Sequence, residues 1–154
     1  MSKLLKFIFD IPTQNNRINL GIFVLRVSVG LMMPLGHGLA KLLSYGEKSA
    51  TFSDDLGIGS ALSMALAIFA EFFCSIGIFS GFLTRLAAIA LLINMLVAGV
   101  IHHAADPWAR KELAFVYAVM YLTLLIVGGG KFSIDYLISR KLKIGERKQS
   151  DAKP

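Results

Sequence analysis

The chain has 154 residues, 55% of them hydrophobic and 17% charged, with a mean hydropathy of +0.65. A soluble domain carries about 25% charged residues; here the apolar excess is gathered into four long blocks, which excludes an ordinary soluble domain and describes a one-domain integral membrane protein. The formal net charge of +6 comes from basic residues collected at the termini, a pattern that suits anionic lipid and, without a basic stripe interleaved with aromatics, excludes nucleic acid.

Residues 1–18 hold Lys3, Lys6, Asp10 and Arg17 around a short apolar patch and are too polar to span. No cleaved signal peptide is expected, because the first long apolar run contains Arg26 and leads to no A-x-A-like site. Runs long enough for a tilted span, about 20 residues, are expected at 19–42, 59–82, 84–104 and 112–129, giving an all-α four-helix membrane bundle over 19–130. Ser44–Ile58, with Glu47, Asp54 and Asp55, reads as a polar loop or short surface helix. Gly81–Thr84 makes a tight link, and Ala105–Trp108 makes a turn with Trp108 at the lipid–water interface. Gly128, Gly129 and Gly130 end the fourth span, since consecutive glycines do not sustain a helix. Ser133 then caps a short cationic helix to about Ile144, followed by a disordered polar tail; 131–154 forms a cationic terminal segment. Lys and Arg outside the spans concentrate at both termini and at 82–85, against Lys41, Lys48, Arg110 and Lys111 on the other side. The positive-inside rule therefore places both termini in the cytoplasm.

Depth follows from orientation. Arg26 lies about 10 Å into the first span and Glu71 about 15 Å into the second, so adjacent antiparallel helices can pair them. Charges at such depths are expensive and mark functional sites by default. Glu71 is thus a candidate proton-accepting or ligand-anchoring group; the alternative is a structural salt bridge, with Asn94 at compatible depth as interhelical glue. The catalytic residues as such are not assigned. Nearer the outer face, His37 and Lys41 share a stripe with Arg26, with Gly30 and Gly38 allowing close backbone approach and Pro34 kinking the helix. His102 is expected to share the interior face of Asn94, His103 to be interfacial, and Glu112 to join the cluster from the fourth span. Tyr117 and Tyr121 lie about 140° or more from Glu112 and are expected to pack or face lipid.

This set, Arg26, His37, Lys41, Glu71, Asn94, His102 and Glu112, offers donors, a positive charge and a titratable acid beside apolar surface, which suits a quinone head group or small anion. Interfacial side chains satisfying one another and water explain the outer cluster equally simply. One His per helix is a weak pattern for b-type haem, and no metal site is expected. The lone Cys74 excludes an intrachain disulfide or CxxC pair and reads as a small buried packing residue.

Leu25-Arg26 with Gly30, Gly36-His37-Gly38 with Lys41, Ala70-Glu71, Gly77, Gly81–Arg85, His102, Glu112, Gly128–Gly130 and Ser133-Ile134-Asp135 follow one another in order and spacing that resemble the DoxX family, over about 20–136. The resemblance implies a small bacterial inner-membrane bundle linked with redox systems, as a subunit of a thiosulfate:quinone oxidoreductase or a partner of thiol-stress enzymes. Family quinone contact would fall on Arg26, His37, Lys41, Glu71 and His102. The expectation is a redox-associated membrane subunit that binds quinone or another small ligand, in contact with lipid and with a protein partner or a second copy. A small proton-coupled transporter and a non-catalytic assembly scaffold are the competing readings.

Overall fold

The computed structural model describes residues 3–9 and 15–142, and among these the secondary structure is entirely helical. α1 covers Lys3–Phe9, α2 Asn16–Leu43, α3 Tyr45–Lys48, α4 Ser60–Ser80, α5 Thr84–His102, α6 Trp108–Val127 and α7 Ile134–Lys141. Three of them, α2, α4 and α5, are long and apolar enough to cross a membrane. Arg110, Lys111 and Glu112 crowd the start of α6 and leave 113–127 as its apolar stretch, about 22 Å long. The polar tail expected after about residue 144, and residues 10–14 of the N-terminal segment, lie outside the described residues.

Side chains and glycines set the helix limits. Asn15 Oδ1 accepts the Ile18 N–H at 3.0 Å and caps α2. Asp54 accepts the N–H groups of Ile58 and Gly59, each at 2.9 Å, together with the Ser63 hydroxyl, and so folds the chain into the start of α4. Gly81, at φ 71°, closes α4 in the left-handed conformation that glycine adopts freely. Its neighbour Phe82 donates back to Gly77 O at 2.9 Å. Asp135, 1% exposed, receives the N–H groups of Leu83 and Thr84 at 2.8 Å and caps α5 from 51 residues away. Ser133 caps α7 through the Tyr136 N–H at 3.1 Å.

α5 packs along α6, and α2 along the second half of α4. The core runs through Val29 and Met33, Cys74 and Ile78, Ala88, Leu91 and Met95, and Ala118, Tyr121 and Leu124. Small residues at the crossings let backbones approach, as expected for membrane helices. Gly30 is one such position, where a Cβ would lie 2.6 Å from the Phe79 nitrogen. The outer faces carry Phe73 and Ile76, Val100, and Val119 and Ile126, all exposed, and this apolar surface contacts membrane lipid. At one end α1 and α7 pack on each other, with Ile8 and Phe9 against Leu83 and Ile138.

Candidate functional site

Gly38 positions the site. α2 and α4 cross there so closely that a Cβ would stand 2.8 Å from the Glu71 carbonyl oxygen. Lys41, three residues on, is thereby delivered to the Glu71 carboxylate. Its Nζ donates to Oε1 at 2.6 Å and to Oε2 at 2.5 Å. Asn94 Nδ2 on α5 donates to Oε1 at 3.0 Å, so three helices meet on one carboxylate. The Glu71 side chain is 6% exposed and that of Lys41 28%.

The expected Arg26–Glu71 pair does not form. The Arg26 guanidinium, 1% exposed, turns toward the other end of α4 and donates to main-chain oxygens. These are Ile78 at 2.9 Å, Phe79, and Phe132 at 2.6 Å. The first two belong to the last turn of α4, which carries the negative end of the helix dipole and suits a buried arginine, although Ile78 O also accepts the Gly81 N–H at 3.1 Å. The similar depth expected for the two does not hold: α2 meets Phe79 at Gly30 and Glu71 at Gly38, so Arg26 lies toward the opposite end of α4 from Glu71. Arg85 plays a comparable part, donating to Phe7 O and to Ile126 O. Arg26, Arg85 and Asp135 therefore knit the end that holds α1 and α7.

Glu71 and Lys41 border a cavity of about 560 Å³. Its walls are apolar, with Met33, Leu66, Phe69, Ile93, Met95 and Leu113, and Phe52, Leu56 and Ile58 of the 44–59 link border it as well. The polar lining includes His37, Asn94, His102, His103, Arg110 and Tyr117 together with the Lys41–Glu71 pair, and Ser53, Asp55 and Ser63 add to it. Each of the three spanning helices carries a π-helical segment here: Pro34–Gly38 with His37, Phe69–Cys74 with Glu71, and Val97–His102 with His102. A π turn inserts one residue into the helix and is frequent at functional sites. Pro34 opens the first of them, so the disturbance expected there takes the form of a widened turn.

The two neighbouring histidines are both cavity-lining, contrary to the division expected from regular helix angles. His102 Nδ1 lies 2.9 Å from Asp55 Oδ2, and His103 Nδ1 lies 2.7 Å from Asp106 Oδ2. Arg110 donates to the other Asp106 oxygen at 3.2 Å. The His103 hydrogen bond, helped by Arg110, holds the Asp106 carboxyl below the ordinary aspartate range. Asp54 is likewise lowered, first by the Gly59 N–H and then by Ser63 and Ile58. Asp55 and Asp106 escaped the sequence reading because their partners are set by how two links fold, for which no spacing rule exists.

Glu112 is exposed and is not among the residues that line the cavity, so it does not join the site from α6. Tyr117 does line it, and of the two roles expected for it and Tyr121, packing and lipid-facing, both residues take the first: they are buried in the core. The angular separation between Glu112 and Tyr117 held; the face assigned to the interior was the wrong one of the pair. Tyr117 stacks on the fully buried Tyr121 with ring centroids 6.0 Å apart, and meets His37 edge to face at 6.5 Å. Cys74 is a buried free thiol of the core. Among the described residues, no three of His, Cys, Asp and Glu gather where a metal ion could sit.

The family model described as DoxX matches residues 21–104, more than half of the chain. The chain belongs to the DoxX family. Comparison with curated proteins and with solved structures gives no match. Within the DoxX match lie α4, α5, most of α2 and six of the seven expected site residues: Arg26, His37, Lys41, Glu71, Asn94 and His102. Glu112, Tyr117 and the Gly128–Asp135 segment lie beyond it. The protein is thus a DoxX-family membrane protein whose matched helices bring Lys41, Glu71 and Asn94 onto a largely apolar cavity.

Proposed function

We propose that this protein is a redox-associated subunit of a bacterial inner membrane that binds a quinone or another small apolar-bodied ligand in the cavity and works with a partner oxidoreductase. In this reading α6 forms a fourth span, completing a four-helix bundle with both termini in the cytoplasm. The supporting observation is the cavity of about 560 Å³, of ligand size and apolar along most of its wall, with Glu71 held at its edge by Lys41 and Asn94. Met33, Leu66 and Met95 would hold the body of a quinone, and the group would supply two-electron, two-proton chemistry when bound. Glu71 would hold or release a proton at a carboxylate oxygen, with Lys41 balancing its charge.

The test is purification in a mild detergent followed by extraction and titration of lipid-phase ligands. A quinone that copurifies with, or saturably binds, the wild type and binds more weakly to Glu71→Gln is the expected result. Its absence from both proteins sinks the quinone reading. One observation favours a proton-coupled carrier as the second reading: the Lys41–Glu71 pair ties the α-helical turn after the Pro34–Gly38 π segment to the π segment of α4 beside the cavity, where a change of charge would alter a helix crossing. Proteoliposome uptake that follows pH and disappears in Glu71→Gln would favour the carrier over the subunit.

A further inference from the structure

The charges around the cavity are matched within the protein. Lys41 is held by both oxygens of Glu71, His102 faces Asp55, and His103 and Arg110 share Asp106. Asn94 is also engaged, through Glu71. Two polar groups stand apart from this arrangement. Among the described residues, neither a ring nitrogen of His37 nor the hydroxyl of Tyr117 takes part in a hydrogen bond, although both side chains line the cavity and sit edge to face at 6.5 Å. The protein thus leaves one imidazole, exposed at the cavity mouth, and one buried phenol available at a mostly apolar wall.

We infer that His37 and Tyr117 read the polar head of the ligand, and that this head is an uncharged oxygen group, a carbonyl or a hydroxyl. The inference rests on the reading of the cavity as a ligand site and assigns its specificity. A phenol donates and accepts, and a neutral imidazole does both through its two nitrogens, so the pair satisfies an oxygen that is either acceptor or donor. An anionic head would need a cation already committed to a carboxylate, and a cationic head would need a carboxylate already committed to a cation. In an apolar surround a charge without a counter-ion is strongly disfavoured. Lys41 and Glu71 on this account shape the pocket and set its charge balance; they do not anchor the head.

The experiment compares two probes of the same ring body, β-naphthol, which is neutral at neutral pH, and β-naphthoate, which is anionic. Each is titrated into full-length protein in lipid nanodiscs, with empty nanodiscs subtracted. Wild type is expected to prefer the naphthol by about tenfold or more. Tyr117→Phe keeps the stacked ring and removes one oxygen; His37→Phe keeps the edge-to-face contact and removes both nitrogens. Each is expected to weaken naphthol about three- to tenfold and leave naphthoate unchanged, with an unaltered melting temperature. The selectivity ratio is the deciding readout, because a merely structural loss would lower both affinities together. Equal or tighter binding of naphthoate, or an unchanged ratio in both variants, overturns the assignment of His37 and Tyr117 while leaving a ligand cavity in place. Failure of both probes to bind saturably overturns the assignment and the ligand reading with it.

Discussion

Glu71 accepts from Lys41 through both carboxylate oxygens, whereas Arg26 gives its donors to three carbonyls elsewhere. The two basic residues therefore respond oppositely to loss of the acid. Lys41→Met leaves a carboxylate 6% exposed with Asn94 as its remaining side-chain partner. Lys41 is partly open to solvent, so the loss is expected at about 1–3 kcal/mol, below that of a fully buried pair. Adding Glu71→Leu removes the stranded charge and is expected to restore most of the melting temperature. Arg26→Met takes the charged donor from the Ile78, Phe79 and Phe132 carbonyls, an expected loss of about 3 kcal/mol that Glu71→Leu does not relieve. Thermal melts of the two double-mutant cycles separate these cases: coupling of about 1 kcal/mol or more for Lys41 with Glu71, and additivity for Arg26 with Glu71. Coupling at Arg26 in place of Lys41 would contradict the geometry.

At the level of elements, the four long helical stretches were legible because apolar runs of spanning length have few alternatives. Depth was legible only in part: Glu71 and Asn94 share a level as expected, but Lys41, expected nearer the outer face, is the residue that reaches Glu71, and Arg26 lies well away from it. Direction was not. Each π turn adds a residue to a helix, so angles counted at 3.6 residues per turn drift across Pro34, Glu71 and Val97. The acceptors of Arg26 are backbone groups, which every residue possesses and no sequence pattern marks. The helix crossing itself depends on one hydrogen atom at Gly38. Gly38→Ala places a methyl group 2.8 Å from main-chain atoms that have no rotamer to yield. The expected result is a lowered melting temperature and loss of the Lys41–Glu71 coupling, detected by repeating the same cycle in that background. An unchanged coupling energy would show that the crossing does not deliver Lys41. The 44–59 link has its own organiser in Asp54. Because bonding lowers its carboxyl, order that depends on the carboxylate is present above the ordinary aspartate value of about 3.9 and is lost as pH falls through the lowered one. Hydrogen exchange of the 52–59 segment, corrected for intrinsic rate, should therefore hold steady from neutral pH down to about 4. Asp54→Ala should lose that protection across the whole range; a wild-type loss already near neutral pH would point to a different organiser.

The whole molecule has two dissimilar ends. One is stitched by Arg26, Arg85 and Asp135 to α1, α7 and the glycine segment after α6. The other holds the cavity, bordered by a link that contributes Asp55 to His102. The proposed ligand site would lie near one membrane face and so calls for a defined orientation; under the proposed topology the excess of Lys and Arg at the stitched end puts that end in the cytoplasm. That argument requires α6 to span, although Arg110, Lys111 and Glu112 occupy its start. Its remaining apolar stretch is about 22 Å, short of a hydrocarbon core of about 30 Å, and Lys and Arg side chains at a helix end can snorkel to the interface. Single-cysteine labelling decides the matter, since the native thiol is buried and Cys74→Ala removes its background. In that background, Lys48→Cys on the link and Arg140→Cys on α7 place thiols at opposite ends, each at an exposed position. A membrane-impermeant maleimide applied to intact bacterial cells is expected to label Lys48→Cys and to reach Arg140→Cys only after lysis. Labelling of both in intact cells would remove α6 as a span, and the reverse pattern would invert the molecule and place the cavity on the cytoplasmic side.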